Sequence, residues 1–315
     1  MRVVYMGTPE FAVPALEALL ASEYEVVLVV TQPDRRGNRG KMTYSPVKET
    51  ALAQDIPVAQ PVRIRTDEDF LQSMESLAPD MIVVAAFGQI LPKRLLDIPQ
   101  YGCINIHGSL LPKLRGAAPM QYSILEGHEK TGVTLMRMDE GLDTGDMIAK
   151  AELPIEKKNI EELGEELAAR GAELLMDTIP SILDGTAVYT PQEEGESTYA
   201  SRIDKKDGLT DFHRSAEEEE RRIRAFYGWP NAYSYYGERM VKFYAAEVLP
   251  EAADGAPGTV KRVGKKELLI NCGEGTLRIL ELQLQGKKRL AAADFLRGCP
   301  LAAGDRFTAE PSPGL

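Results

Sequence analysis

Two polar side chains stand where an apolar run ends, and their types suit acyl transfer. Asn105 and His107 are two residues apart in CINIH, so on a β-strand they point to the same face. Asp143 follows 38 residues after Asn105 in the glycine-containing stretch EGLDTGDM, which can bring a carboxylate into the same cleft. An amide can donate to a developing oxyanion, and a histidine beside a carboxylate can exchange protons. No serine or cysteine adjoins them in a nucleophile-elbow pattern, which favours a reaction whose nucleophile belongs to the substrate.

The same residues have a second interpretation, in which they only stabilise the fold. Polar groups buried at the end of a strand need hydrogen-bond partners, and these side chains can satisfy one another. Spacing alone does not separate a catalytic triad from such a polar cluster, so the residues by themselves leave both interpretations open.

The elements that position these residues follow from the hydrophobic pattern of the first half of the chain. Val- and Ile-rich runs alternate with stretches of helical periodicity, which indicates a parallel sheet covered by helices on both faces. The predicted strands are Val3–Met6, Glu25–Thr31, Ile82–Ala86 and Ile104–His107. Ligands of such sheets bind beyond the carboxyl ends of the strands, where the loop Gly108–Gly116 begins. The predicted fold class is therefore α/β, with a Rossmann-like open, mostly parallel sheet.

The remainder of the chain predicts a hairpin, a long helix and a separate domain. Gly132–Met138 and Met147–Pro154 form the hairpin, and an amphipathic helix runs from about Ile160 to Ile182. The polar segment 189–207 is interpreted as a linker between a domain of residues 1–188 and a domain of residues 208–315.

The predicted second domain begins with a helix near Ser215–Phe226, whose residues Glu217–Glu220 we interpret as a solvent-facing surface. Short β-like runs separated by turn residues follow this helix. Several short strands at such spacing are typical of a small barrel or sandwich, so we expect a smaller C-terminal β-barrel of OB-like type.

The composition limits the classes of partner. A net charge of −11 argues against a globally basic nucleic-acid binder. Residues 207–315 nevertheless contain 16 basic and 16 acidic residues, so this part of the chain carries none of the net charge. Local basic patches can bind a polyanion despite the total. The clusters are Lys261, Arg262, Lys265 and Lys266, and then Lys287, Lys288 and Arg289.

The sequence lacks the signals of membrane-spanning, metal-binding and nucleotide-binding proteins. No run of 18 or more apolar residues occurs, so we expect no membrane span. Three cysteines and three histidines without metal-ligand spacing predict no metal site and reduced thiols in a cytoplasmic protein. Neither GxGxxG nor a GxxxxGK[ST] phosphate loop is present, so the nucleotide fingerprints are missing. Nothing suggests an obligate interface, and we expect a monomer.

The stretch NIHGSLLPKLRGAAP together with GLDTGDM resembles the formyltetrahydrofolate-dependent formyltransferases, which use an Asn-x-His pair and an Asp in an LDxG turn. The resemblance implies Asn105, His107 and Asp143 as catalytic residues and 10-formyltetrahydrofolate as formyl donor and co-substrate. It also implies that the folate binds along two stretches. These are Phe87, Gly88, Gln89, Ile90 and Leu91, and Ser109, Leu110, Leu111 and Pro112.

Three further features resemble the members of this family that act on initiator methionyl-tRNA. They are GTPEFA at the start of the chain, the insertion TQPDRRGNRGKMTYSPVK, and a C-terminal domain containing IRAFYGWPNAY and LQLQGKKRL. The implied acceptor is the α-amino group of methionine on the initiator tRNA. The implied substrate contacts are Phe11, which packs against the methionine side chain or belongs to the core, and Arg39 and Lys41, whose basic loop orders on a phosphate backbone.

Two alternative functions remain open at this point. Relatives with the same catalytic core transfer a formyl group to a sugar nucleotide or purine precursor, or hydrolyse the formyl-folate. The second alternative is a folate- or RNA-binding protein without catalysis. The intact Asn105, His107 and Asp143 favour an enzyme, while the basic insertion and the C-terminal domain favour the tRNA substrate by resemblance.

Overall fold

The structure, a computed structural model, describes residues 1–36, 42–264 and 267–312. It divides into two compact units, each of which is built from more than one stretch of chain. The first unit comprises Met1–Pro119, Lys130–Pro154 and Gly164–Ser201, and the second comprises Met120–Glu129, Ile155–Leu163 and residues from Arg202 onward. This division differs from the contiguous domains drawn from the sequence, because two short segments of the first half belong to the second unit.

Strands and helices alternate through residues 1–201, and all of these helices are short except the last. The strands are β1 (Arg2–Gly7), β2 (Glu25–Val30), β3 (Arg35–Arg36), β4 (Met42–Thr43), β5 (Val58–Ala59), β6 (Met81–Ala85), β7 (Cys103–His107), β8 (Arg115–Gly116), β9 (Lys130–Arg137), β10 (Met147–Pro154) and β11 (Tyr199–Ala200). The helices are α1 (Val13–Leu20), α2 (Pro46–Ala53), α3 (Glu68–Leu77), α4 (Lys93–Leu96), α5 (Pro119–Leu125) and α6 (Ile160–Leu183).

Seven strands of the first unit form one sheet in the order β10-β9-β7-β6-β1-β2-β5. The five strands from β7 to β5 are parallel, and β9 and β10 are antiparallel to their neighbours. The prediction of a mostly parallel sheet with a hairpin is therefore confirmed. The order reverses at β1, because β2 lies on one side of it and β6 on the other, so the switch in strand order falls at their carboxyl ends.

Two apolar layers hold this sheet. Alternate residues of β1, β6 and β7 pack against α1, α2 and α6 on one face, and the intervening residues pack against α3 and α4 on the other. Ile104 and Ile106 belong to the first layer and Cys103 to the second. Asn105 and His107 share the face of Cys103, so they lie on the α3/α4 side of the sheet.

The second unit contains an antiparallel sheet and its own core. Its elements are α7 (Ala216–Ala225), β12 (Ala232–Tyr236), β13 (Arg239–Leu249), β14 (Val260–Val263), β15 (Leu268–Asn271), β16 (Thr276–Leu284), β17 (Arg289–Ala291) and α8 (Ala292–Gly298). The six strands follow the order β12-β13-β16-β15-β14, with β17 paired to β16.

The C-terminal segment connects the two edges of this sheet. Thr308 forms an antiparallel bridge with Tyr235 in β12, and Arg306 forms one with Thr259 beside β14. Because both edges pair with one segment, the sheet closes into a barrel-like shape, as the short strands predicted. Inside it, the ring of Phe307 lies 5.6 Å from that of Phe243 and 5.8 Å from that of Tyr236.

The interpretation of Glu217–Glu220 as a solvent-facing surface is wrong for two of its residues. Glu219 is 0% exposed and Glu220 is 4% exposed. Arg224 binds Glu220 at 2.8 Å, and Arg222 lies 3.6 Å from Glu219, so neighbouring guanidinium groups replace solvent around these carboxylates. The helix start itself is as expected, since Ser215 and Glu218 form a capping box.

The segment predicted as a linker is ordered within the first unit up to Ser201. Thr190 bridges to Met147, and β11 pairs with β8 in parallel. The first contact ties the segment to β10 and the second ties it to β8, in the loop after β7, so the segment belongs to the scaffold of the first unit. Among the described residues, no helix is long and apolar enough to cross a membrane.

Candidate active site

The amide and imidazole identified in the sequence lie at the carboxyl end of β7. Asn105 is 8% exposed and His107 is 6% exposed, so both are nearly enclosed by protein. The side chain of Asn105 makes no hydrogen bond to any residue that the structure describes. A nearly buried amide without a partner is unusual in a folded protein, and it leaves both N–H groups available to a ligand.

A backbone carbonyl sets the orientation of the His107 ring. Nε2 of His107 lies 3.0 Å from the carbonyl oxygen of Leu114. Because a carbonyl only accepts, Nε2 carries the proton of this hydrogen bond and donates it. Nδ1 then faces Asp143, whose Oδ1 lies 3.8 Å away. This separation suits an ion pair and exceeds a direct hydrogen bond, so Nδ1 has room to bond to a substrate atom.

The loop between β9 and β10 brings Asp143 to the histidine. Its first residue is anchored beside β7, because the Met138 N–H donates to the carbonyl of Cys103 at 2.8 Å. Asp143 itself has a φ of 55°, a left-handed conformation that is uncommon for a residue with a side chain. The second carboxylate oxygen, Oδ2, accepts a hydrogen bond of 2.8 Å from the Gly116 N–H. The structure therefore brings all three predicted catalytic residues to one edge of the sheet.

Three residues near this edge other than glycine have a positive φ, namely Ala86 (45°), Leu114 (59°) and Asp143 (55°). Such conformations are unfavourable for residues with a Cβ, and they persist where the surrounding structure holds them. One follows β6, one supplies the carbonyl that orients His107, and one is the carboxylate residue. Their concentration here agrees with a site whose backbone is held for function.

A thiol on the same face does not add a nucleophile. Burial raises the pKa of Cys103 to about 12, so at neutral pH the group is a protonated thiol. Reactive cysteines need a stabilised thiolate, which this apolar setting opposes. Cys103 is therefore no candidate nucleophile, and the candidate groups on this face are the amide, the imidazole and the carboxylate.

The loop that follows His107 is held by the strand beside it. The Thr134 hydroxyl in β9 donates to the carbonyl of Ser109 at 2.7 Å and accepts from the N–H of Leu111 at 3.1 Å. The Ser109 hydroxyl donates to the carbonyl of Lys113 at 2.7 Å, and Lys150 Nζ in β10 donates to the carbonyl of Leu111. This loop is therefore rigid before any ligand binds.

The residues predicted to contact folate fall into different environments. Phe87 and Leu91 are each 2% exposed and belong to the core layer of α3 and α4, whereas Ile90 is 46% exposed. The Gln89 side chain accepts from the Ile64 N–H and donates to the Pro61 carbonyl, so it also holds a neighbouring loop.

The second stretch is similarly mixed. Ser109, Leu111 and Pro112 are buried, and Leu110 is half-buried. Of the predicted apolar contacts, Ile90 and Leu110 offer side-chain surface, while Phe87, Leu91, Leu111 and Pro112 are buried. That all nine residues bind folate stays a prediction.

A cavity of about 480 Å³ opens at the carboxyl ends of β1, β2 and β6. It is lined by Thr8, Gln32, Asp34, Tyr44 and Gly88, among others. Lys48 binds Asp34 at 2.6 Å, and this hydrogen bond lowers the pKa of the Asp34 carboxyl. The cavity occupies the switch in strand order, where open α/β sheets bind ligands.

The predicted substrate contacts are placed only in part. Phe11 follows β1 and is partly buried against the core that contains α1 and α2, which agrees with a packing role. Arg39 and Lys41 lie outside the described residues. Within the described part of the chain, no group of three or more His, Cys, Asp or Glu side chains is arranged to hold a metal ion.

Sequence reasoning missed the groups that hold the predicted catalytic residues. They are the Leu114 carbonyl, the Gly116 N–H, and Gln192, whose Nε2 donates to the carbonyls of Asp143 and Gly145, each at 2.8 Å. A backbone carbonyl has no signature in residue type. The only available signal was the glycine at position 116, which has a φ of 110°.

Comparison with known proteins identifies the class to which this fold and site belong. The formyl transferase family model matches residues 1–180, and the model for the formyl transferase C-terminal domain matches residues 202–300. The chain belongs to the formyl transferase family.

Full-length relatives carry a more specific name. The methionyl-tRNA formyltransferase of Agathobacter rectalis is 48% identical over 98% of this chain and 100% of its own length. That of Bacillus subtilis is 47% identical over 96% of each chain.

Solved structures agree on the fold. The methionyl-tRNA formyltransferase of Clostridium thermocellum has a TM-score of 0.55 at 21% identity, covering 79% of this chain and 94% of its own. An N-formyltransferase of Helicobacter canadensis has a TM-score of 0.65 at 21% identity, covering 88% of this chain and 98% of its own.

Proposed function

We propose that the chain transfers the formyl group of 10-formyltetrahydrofolate to the α-amino group of methionine on initiator tRNA. The product is N-formylmethionyl-tRNA, which serves translation initiation. The single observation that carries the proposal is the pair of His107 Nδ1 and Asp143 Oδ1 at 3.8 Å, on the strand face that also carries the Asn105 amide, in a chain whose relatives are named methionyl-tRNA formyltransferase. The site has no protein nucleophile of its own, which fits attack by a substrate amine.

In this proposal 10-formyltetrahydrofolate supplies the one-carbon unit, and the amine attacks its carbonyl carbon. Asn105 donates a hydrogen bond from its side-chain amide to the oxygen on which negative charge develops. His107, held by Leu114, directs Nδ1 into the same space and donates there when protonated. Removing one such donor typically costs about 2.7–4 kcal/mol of the barrier.

The bond between the formyl carbon and N10 of the folate then breaks, so a proton must leave the attacking nitrogen and one must reach N10, giving tetrahydrofolate and the formylated amine. The His107–Asp143 pair is suited to this, because Nδ1 and Oδ1 are 3.8 Å apart and both face the cleft. The imidazole accepts or donates a proton at Nδ1, and the nearby carboxylate stabilises the imidazolium that forms. The α-amine of an aminoacyl ester is more acidic than a lysine side chain, so a strong base is unnecessary.

The donor is proposed to lie against the rigid loop Ser109–Pro112 and the turn Phe87–Leu91. Gly88 has a φ of 83° and an open setting, so its backbone groups are accessible to a flat heterocycle. Ile90 and Leu110 add apolar surface beside it.

The tRNA is proposed to meet the basic loop that contains Arg39 and Lys41, with Phe11 near the methionine side chain. In the second unit, Lys261 and Arg262 are engaged by Glu251, and Arg289 is bound by Glu281. Lys287 and Lys288 are exposed and have no ion-pair partner among the described residues, so they are the better phosphate contacts among the described members of the C-terminal clusters. Lys265 and Lys266 lie outside the described residues. We place the enzyme in the cytoplasm as a monomer.

The test offers the purified protein methionyl initiator tRNA with 10-formyltetrahydrofolate carrying a labelled formyl group. We expect label to appear as formylmethionine on the tRNA, and not on a methionyl elongator tRNA or on uncharged initiator tRNA. Loss of formyl-folate without labelled tRNA would indicate hydrolysis. Label on an amino sugar nucleotide or a purine precursor would indicate the other family activities, and absence of any turnover would contradict catalysis.

A further inference from the structure

The short ribbon of β8 and β11 supports both titratable catalytic residues. The Leu114 N–H donates to the Thr198 hydroxyl at 2.9 Å, and the Arg115 N–H donates to the Thr198 carbonyl at 2.8 Å. Residues 114–116 also supply the Leu114 carbonyl that binds His107 and the Gly116 N–H that binds Asp143. Residues 198–200 therefore stabilise the backbone of residues 114–116, which in turn forms hydrogen bonds with His107 and Asp143.

Gln192 binds the Asp143 loop directly. Its Nε2 lies 2.8 Å from the carbonyl of Asp143 and 2.8 Å from that of Gly145, while its Oε1 lies 3.0 Å from Nε of Arg115. Two carbonyls only accept and a guanidinium only donates, so the chemistry of the partners determines which way the amide faces. The amide oxygen accepts from Arg115, and the two N–H groups donate to the carbonyls of Asp143 and Gly145.

Arg115 holds the other end of this contact. Its side chain is 1% exposed, although it carries a full positive charge. Besides Gln192, its Nη1 binds Glu194 Oε2 at 2.8 Å. A buried guanidinium with fixed partners is a rigid point of attachment, so Gln192 is fixed between it and the Asp143 loop.

We propose that Gln192 is a positioning residue for the reaction, acting through Asp143. Asp143 has a left-handed backbone conformation that residues with side chains avoid, so something must hold it there. Gln192 bridges two carbonyls of that turn, 49 and 47 residues earlier in the chain, and so keeps the Asp143 carboxylate toward His107. The kinetic test of this role depends on the proposed formyl transfer, whereas the hydrogen-exchange test does not.

Two variants separate the contacts of Gln192. Gln192→Met has a similar volume and removes all three hydrogen bonds. Gln192→Glu keeps an acceptor for Arg115 and replaces the donor with an oxygen that repels the two carbonyls. The matched control is Gln72→Met on the exposed surface of α3.

We expect kcat to fall by about 10-fold to 100-fold in both Gln192 variants, because a small displacement of a catalytic group is costly. The KM for the folate donor should stay within about twofold, since the Ser109–Pro112 loop has separate supports. Gln72→Met should match the wild type. Wild-type kcat in both Gln192 variants, or a rise in KM as large as the fall in kcat, would overturn the proposal.

Hydrogen exchange gives a readout that does not depend on activity. The Gly116 amide is bonded to Asp143 Oδ2, so release of the turn should speed its exchange in both Gln192 variants, together with exchange in residues 139–146. Unchanged exchange there would overturn the positioning role, whatever the kinetics. If the wild-type protein leaves charged tRNA unmodified, the proposed function fails, and the exchange comparison still decides the role of Gln192.

Discussion

Nδ1 of His107 and Oδ1 of Asp143 lie 3.8 Å apart, and the backbone of residues 114–116 forms a hydrogen bond with each of these side chains. The carbonyl of Leu114 accepts from the imidazole, and the N–H of Gly116, two residues later, donates to the carboxylate. The relative position of the two side chains is thus set by backbone groups of a single loop. A shift of that loop moves both together, while a change in its internal geometry alters the distance between them.

Asn105→Ala should lower kcat by about 10²-fold to 10³-fold, because the variant lacks a donor to the developing oxyanion. The KM for the folate donor should change little, since this residue is proposed to act in the transition state. Steady-state kinetics with charged initiator tRNA measures both. Asn105→Asp, which keeps the shape and loses the donor, should be at least as impaired; equal losses in kcat and donor affinity would contradict an oxyanion role.

Gly116→Ala should destabilise the first unit and reduce kcat. A Cβ at this position would lie 2.6 Å from the Ala200 carbonyl, and the φ of 110° is strained for any other residue. We expect a loss of about 1–3 kcal/mol in the free energy of unfolding. The matched control is Gly195→Ala, where a Cβ meets nothing within 4 Å. Denaturant unfolding of both variants would refute the explanation if the two lost stability equally.

Thr134→Val should raise the KM for the folate donor and leave kcat within about twofold. The hydroxyl of Thr134 makes two hydrogen bonds to the Ser109–Leu111 backbone, each worth about 1 kcal/mol, and valine preserves only its shape. We therefore expect donor binding to weaken by about 5-fold to 30-fold. Thr50→Val, which removes a hydroxyl bonded to the Pro46 carbonyl in α2, is the control. Unaltered donor affinity would show that this loop does not bind the folate.

Glu219 should make the second unit more stable as the pH falls from about 7 to about 4.5. Burial raises the pKa of Glu219 to about 7, against 4.5 when unfolded, so in this range the folded state binds a proton that the unfolded state does not. The wild type should gain on the order of 3 kcal/mol relative to Glu219→Gln across this window.

Urea unfolding followed by fluorescence of Trp229, the one tryptophan, measures this difference. Nearby Asp211, Glu218, Arg214 and Arg222 are present in both proteins, so their own titrations largely cancel. A difference that is independent of pH, or that grows as the pH rises, would contradict the assignment.

Much of the fold was predictable because it depends on local patterns. The strand predicted at Ile104–His107 from its apolar residues is present as Cys103–His107, and the two-residue period of a strand placed Asn105 and His107 on one face. A helix was likewise predicted near Ser215–Phe226, and the structure has it at Ala216–Ala225 with Ser215 as its N-cap. Such features are decided within a few residues of chain, so they can be read without knowing what packs against them.

The errors concern partners that are distant in sequence. Residues 190–200 are polar and rich in turn formers, which predicted a linker, yet residues 198–200 pair with residues 115–117 and Thr190 pairs with Met147. Glu219 belongs to a run of four glutamates, which predicted exposure, yet Arg222 and Arg214 lie within 3.8 Å of it in a buried setting. In both cases composition described the segment correctly, but its environment depended on other parts of the chain.

The sequence by itself determined the α/β alternation, the pairing of an amide and an imidazole on one strand face, and the presence of a carboxylate in a turn that can reach them. These follow from side-chain periodicity and turn chemistry, which act over short distances. The tertiary structure decided how the site is held: the Leu114 carbonyl on His107, the Gly116 N–H on Asp143, and Gln192 on the Asp143 turn. Backbone groups are the same at every residue, so only the packing of the whole unit determines which of them meet.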